Sequence, residues 1–167
     1  MPIVAMLCAL TAAIGPGAAW MQPRADVPMI FAGAIRPLQP PDAAGAWQLQ
    51  VITRGGLGGG GTGDFAINST GSMTVFTPET TVAVQADVLG RLREYVSAST
   101  PAQWTVKPGA SICSDCVTTM IALRVRTPEG GVQTYTAVWD PTMRANVPPD
   151  ALRIYDLAQR VRQGIGR

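Results

Sequence analysis

The residues of this chain with the clearest chemical potential are two thiols, Cys113 and Cys116, in the run Cys113-Ser114-Asp115-Cys116. A pair at this spacing can exchange disulfides, give two thiolates to a metal, or close on itself. A redox pair needs its first cysteine at a helix N-terminus after a strand, where the helix dipole lowers the thiol pKa. Here the following residues, Val117 to Val125, are rich in Val, Thr and Ile and read as a strand. A tetrahedral zinc shell needs four ligands, and the chain holds three cysteines and no histidine. The favoured reading is a structural disulfide, a staple at the start of that strand contributing roughly 2 kcal/mol by loop entropy. Dithiol oxidoreduction by Cys113 and Cys116 is the enzymatic alternative.

The missing histidine also removes Ser-His-Asp and Cys-His nucleophiles, because no imidazole is present as base. Carboxylates are scattered at Asp64, Asp115, Asp140, Asp150 and Asp156, and no spacing singles out two of them for acid–base work. Trp47, Trp104 and Trp139 read as core or rim packing rather than as a sugar-stacking platform. No catalytic residue is assigned.

The second conspicuous stretch runs from Arg54-Gly55-Gly56-Leu57-Gly58 through further glycines to Asp64. A phosphate cradle would want a lysine and a following helix, and here a strand follows at Phe65. No cofactor is therefore expected. The run reads as a glycine-rich connection, or as a loop whose bare backbone lies against a partner's cleft or sheet edge. A net charge of +2, with Lys107 the single lysine, argues against nucleic acid.

These features need a scaffold. Val117–Thr127 and Val132–Trp139 form a hairpin turned by Pro128-Glu129-Gly130-Gly131, with apolar groups on both faces of the outgoing strand, as in a central strand. Trp47–Thr53 alternates, with Trp47, Leu49 and Val51 inward. Further strands follow around Phe65 and Ile67, Met73 and Val75, and Val82 and Val84. Asp87 is a candidate N-cap for a helix to about Val96. A second helix starts near Pro148-Pro149-Asp150 and buries Ala151, Ile154, Ala158, Val161 and Ile165, with Asp156 and Arg160 paired on its wet side. The sum is an α+β domain: an antiparallel sheet of four to six strands with two helices on one face.

Ahead of it, Ile3–Ile14 is an apolar run too short to span a bilayer, leading to small residues at Gly17 and Ala19. Residues 1–19 read as a secretory signal, although no basic residue precedes the run. Cleavage there would remove Cys8 and leave an even cysteine count. Residues 20–46, with Pro23, Pro28, Pro37, Pro40 and Pro41, read as a tether to a domain spanning 47–167. The expected location is secreted or periplasmic, with no membrane span after cleavage.

The stretch Arg54-Gly55-Gly56-Leu57-Gly58 after a first strand resembles the emfourin family, small bacterial inhibitors of thermolysin-type metallopeptidases. The likeness takes in Asp115 before a strand, Tyr135 in the return strand and Pro148 before the last helix. Leu57 stands where the family carries an aromatic residue, and the glycine loop is longer. The resemblance implies a non-catalytic inhibitor, with Arg54, Gly55, Gly56, Leu57 and Gly58 meeting an extracellular or periplasmic peptidase. The expected function is thus an exported protein-binding domain. The alternatives are the dithiol enzyme above and a structural protein of the cell envelope.

Overall fold

Alternating apolar positions become strands when each face has something to cover it, and the order of the strands follows from their connections. The structure, a computed structural model, describes residues 31, 36, 38–56, 63–104 and 116–164. Within them lie β1 (Trp47–Arg54), β2 (Phe65–Asn68), β3 (Ser72–Phe76), β4 (Glu79–Ala83), α1 (Ala86–Ala98), β5 (Thr118–Arg126), β6 (Val132–Trp139) and α2 (Pro149–Gly164). The strands form one antiparallel sheet in the order β4-β3-β2-β1-β5-β6. Strands β2, β3 and β4 meander outward from β1, and the path through α1 returns the chain to β1's other side. The α+β arrangement and the antiparallel sheet expected from the sequence are therefore present.

Registers set which side chains share a face. Val51 lies opposite both Phe65 and Ile121, and Leu49 opposite both Ile67 and Leu123. These residues, with Met73 and Val75, pack against Leu89 and Leu92 of α1 and Ala151, Ile154, Leu157 and Ala158 of α2. Both helices thus cover one face. Trp47, Trp104 and Trp139 belong to the same core, and Trp139 meets Tyr155 edge-on at 5.1 Å between ring centres. Strand β5, paired on both sides and buried on both faces, is the central strand its two-sided apolar pattern predicted.

The opposite face is covered differently. It carries Gln48, Gln50, Ile52, Met120, Ala122 and Arg124, all buried. Phe31, fully buried, packs on Ile52 and Met120. Arg124 donates to the carbonyls of Arg36 (2.8 Å) and Leu38. Arg126 donates to those of Pro41 (2.9 Å) and Pro40 (3.2 Å), and pairs with Asp42 at 3.0 Å. Prolines carry no N–H and cannot enter a ladder as donors, but their carbonyls still accept. Where it is described, the proline-rich stretch expected to be a tether is a strap fastened to the sheet by arginines.

Two local expectations are corrected. Helix α1 has Gln85 at its N-cap with no side-chain cap bond, and Asp87 lies in the first turn, near the positive helix end. Asp156 reaches Arg144 at 2.6 Å rather than Arg160, because the 3₁₀ turn Pro141–Asn146 brings that guanidinium alongside α2. Ile165 lies outside the described residues, and α2's buried stripe is completed by Leu157.

Candidate functional site

The glycine loop leaves the sheet at the end of β1 and rejoins it at β2, and a charged clasp closes its base. Arg54 donates through Nη1 to Asp64 Oδ1 at 2.8 Å and through Nη2 to Asp64 Oδ2 at 2.7 Å. This two-point fork matches the planes of the two groups, the strongest form of such a pair. Asp64 Oδ1 also accepts from the Thr53 amide at 3.2 Å, and Arg54 Nη1 donates to the Thr53 carbonyl at 2.7 Å. The bond to Asp64 raises the Arg54 pKa above its ordinary value, against the opposing effect of partial burial.

The same end of the sheet receives the residues that lead into β5. Arg54 lies opposite Thr118, which sets Cys116 and Val117 beside Gly55 and Gly56. Both glycines hold positive φ, 88° and 86°. A Cβ on Gly55 would stand 2.7 Å from the Cys116 carbonyl oxygen, and one on Gly56 would stand 2.9 Å from Val117 Cγ2. Conformation and space both demand glycine here. The two features singled out in the sequence, some sixty residues apart, are neighbours. No local pattern announces this, because it depends on β1 pairing with β5.

Arg54, Gly55, Gly56 and Cys116 are therefore brought together, while Leu57, Gly58, Cys113 and Asp115 lie outside the described residues. Cys116 is the one described cysteine, so no pair at bonding distance is seen among the described residues. The Cys116 sulfur is nonetheless partnered.

Of the carboxylates singled out in the sequence, the four that are described serve the scaffold. Asp64 closes the clasp. Asp140, almost fully buried, accepts from the amides of Thr142 (2.7 Å) and Met143 (3.1 Å) and so starts the 3₁₀ turn. Asp150 accepts from the Thr100 amide and Trp104 Nε1, each at 3.0 Å, and from the Ala151 amide at 2.9 Å. Burial pushes the Asp150 pKa up, but these hydrogen bonds to the ionised form outweigh it and hold the group below its ordinary value. Asp156 holds Arg144. Among the described residues no three His, Cys, Asp or Glu side chains gather as a metal would require.

A concavity lies elsewhere. A groove of about 450 Å³ runs between β4 and the two helices, floored by Val82, Val88, Leu157 and Val161. A hollow of about 100 Å³ adjoins it, and Arg91, Leu157 and Arg160 line both. The sequence places Val161 on the buried stripe of its helix, and the groove sets it beside Val82 and Val88. Their meeting beside an edge strand follows from strand order. No described helix is long and apolar enough to cross a membrane. No family model matches the chain, and no curated protein or solved structure is significantly similar to it.

Proposed function

We propose that this protein is an exported, non-catalytic domain that binds another protein through the end of the sheet where Arg54, Gly55 and Gly56 meet Cys116 and Val117. The observation that carries the reading is the Arg54–Asp64 clasp, which fixes the points where a glycine-rich loop leaves and rejoins the sheet. Anchored ends reduce the ordering cost of binding, and glycine leaves backbone amides and carbonyls bare for a partner's cleft or strand edge. Involvement of Asp64, Asp140, Asp150 and Asp156 in scaffold bonds supports binding over hydrolysis. The path from Cys116 into a strand, rather than a helix, supports a Cys113–Cys116 staple over a redox pair. The emfourin resemblance supplies the partner class, a thermolysin-type metallopeptidase outside the cytoplasm.

The test is a titration of the domain lacking residues 1–19 against a panel of such enzymes, with Leu57→Asp as the loop variant. Gly56→Trp would confound binding with folding, given the clash with Val117. Inhibition at micromolar concentrations or below, weakened at least tenfold by Leu57→Asp, is expected. No inhibition of any enzyme would remove the inhibitor reading. Identical proteins captured from an envelope extract by the wild type and Leu57→Asp would remove the loop as the contact.

A further inference from the structure

A second surface lies at the other side of the sheet from β6 and owes nothing to the glycine loop. Strand β4 ends the sheet, and among the described residues it pairs with β3 alone. The ladder's phase shows which amides point outward. Val84 N donates to the Gly71 carbonyl, and Phe76 N donates to Asp64 on β2's side. In an antiparallel ladder, inward and outward groups alternate. Thr80 and Val82 therefore face β3, while Glu79, Thr81 and Ala83 turn their amides and carbonyls to the open edge. These three residues are exposed.

The apolar groove begins at this edge. Val82 lies opposite Met73 and points to the helix face, where Val88, Leu157 and Val161 continue its floor. Exposed guanidiniums of Arg91, Arg153 and Arg160 rim the floor and the adjoining hollow. The acid within that lining, Asp156, is bound to Arg144. Asp87 and Glu94 stand near Arg91 on its own helix, and both are exposed to solvent. The lining is cationic, and its charges lie beside a row of backbone groups that no described strand pairs.

We propose that the β4 edge takes up an extended acidic peptide segment as a seventh, antiparallel strand. Outward groups of Glu79, Thr81 and Ala83 would supply the ladder. Every second residue of the segment would face the helices, and that face would have to carry both apolar side chains, over Val82 and Leu157, and carboxylates, against Arg91 and Arg160. Backbone pairing gives such a mode its affinity, while the pockets and charges give its selectivity.

The experiment uses the full chain and two synthetic seven-residue peptides, Glu-Thr-Val-Thr-Glu-Thr-Val and its counterpart with lysine in place of glutamate, so that acidic and apolar side chains share one face. Binding is followed by calorimetry and by amide shifts in a labelled sample at low salt. The acidic peptide is expected to bind at least tenfold more tightly, with the largest shifts at Thr81 and Ala83. Arg160→Glu should weaken it several-fold. Thr81→Pro should abolish it while leaving the far-ultraviolet spectrum intact, since proline is tolerated at an outward edge position. Equal binding of both peptides, no binding of the acidic one at millimolar concentration, or indifference to Thr81→Pro and Arg160→Glu would overturn the proposal. A concentration-dependent dimer lost in Thr81→Pro would overturn it in favour of pairing between two copies of this chain.

Discussion

The two faces of the sheet are both buried, yet they are held by different physics. The helix face is closed by side chains of two amphipathic helices, and its contacts are almost entirely apolar. The strap face is a mixture: Phe31, Ile52 and Met120 form a small apolar cluster among Gln48, Gln50 and Arg124. Its cover is irregular chain, and arginine-to-carbonyl bonds locate that cover. Apolar burial is non-directional and grows with area, whereas hydrogen bonds to a guanidinium are directional and few. The helix face should therefore fail with the whole domain, and the strap face should be able to fail by itself.

The largest effect expected is on the helix face. Leu123→Ala removes a fully buried side chain from the central strand and should cost about 3 kcal/mol, lost in one cooperative transition. Unfolding by chemical denaturant, followed by near- and far-ultraviolet signals, checks this, and non-coincident curves would break the distinction between the faces. Next is Arg124→Met, which keeps the volume but removes the donors to Arg36 and Leu38. A loss of about 2 kcal/mol is expected, together with faster hydrogen exchange confined to the strap and to the β1 and β5 amides beneath it. Phe31→Ala combined with Arg124→Met should be less than additive by about 1 kcal/mol, because either change already detaches the same cover. Full additivity would show that Phe31 and the residues 36–42 dock independently. Smaller still is Arg54→Gln, which opens the loop clasp for about 1 kcal/mol and should leave both faces intact. Urea midpoints alone are enough to measure it.

The helix face was legible from the sequence because its signals are local. Spacing in 87–96 and 149–164 shows the amphipathic stripes, and alternation in β1 and β5 shows the inward residues. The hairpin's return strand, Val132–Trp139, appears with the expected bounds, turned by Gly130 at φ 83°. The strap face was not legible. Nothing in a run of prolines says that Arg124 and Arg126, more than eighty residues later, will bind its carbonyls. Arg124 even reads as a misplaced charge in a central strand until those acceptors are in view. The candidate site divides in the same way. Arg54 and its glycines stand out by composition, but their contact with Cys116 and Val117 is a product of strand order. The β4 groove gave no sequence signal because its floor comes from three separate elements.

Asp150 sharpens the comparison from the other side, since it is a polar fastening placed at the rim of the apolar face. Its carboxylate joins the start of α2 to the Thr100 amide and to the indole of Trp104, whose ring belongs to the core. The folded pKa lies below the ordinary 3.8, so the unfolded chain binds this proton more readily. The stabilisation is then complete above the ordinary value and is lost as pH falls through the folded one. Part of the group's surface faces water, so screening keeps the effect small, about 0.5–1 kcal/mol for Asp150→Asn at neutral pH. The variant should also unfold with a shallower dependence on pH below about 4, where the wild type loses this bond. Tryptophan fluorescence at Trp104 during acid titration reads the event directly. A wild-type acid limb unchanged in Asp150→Asn would mean that the apolar face holds the helix start without polar help.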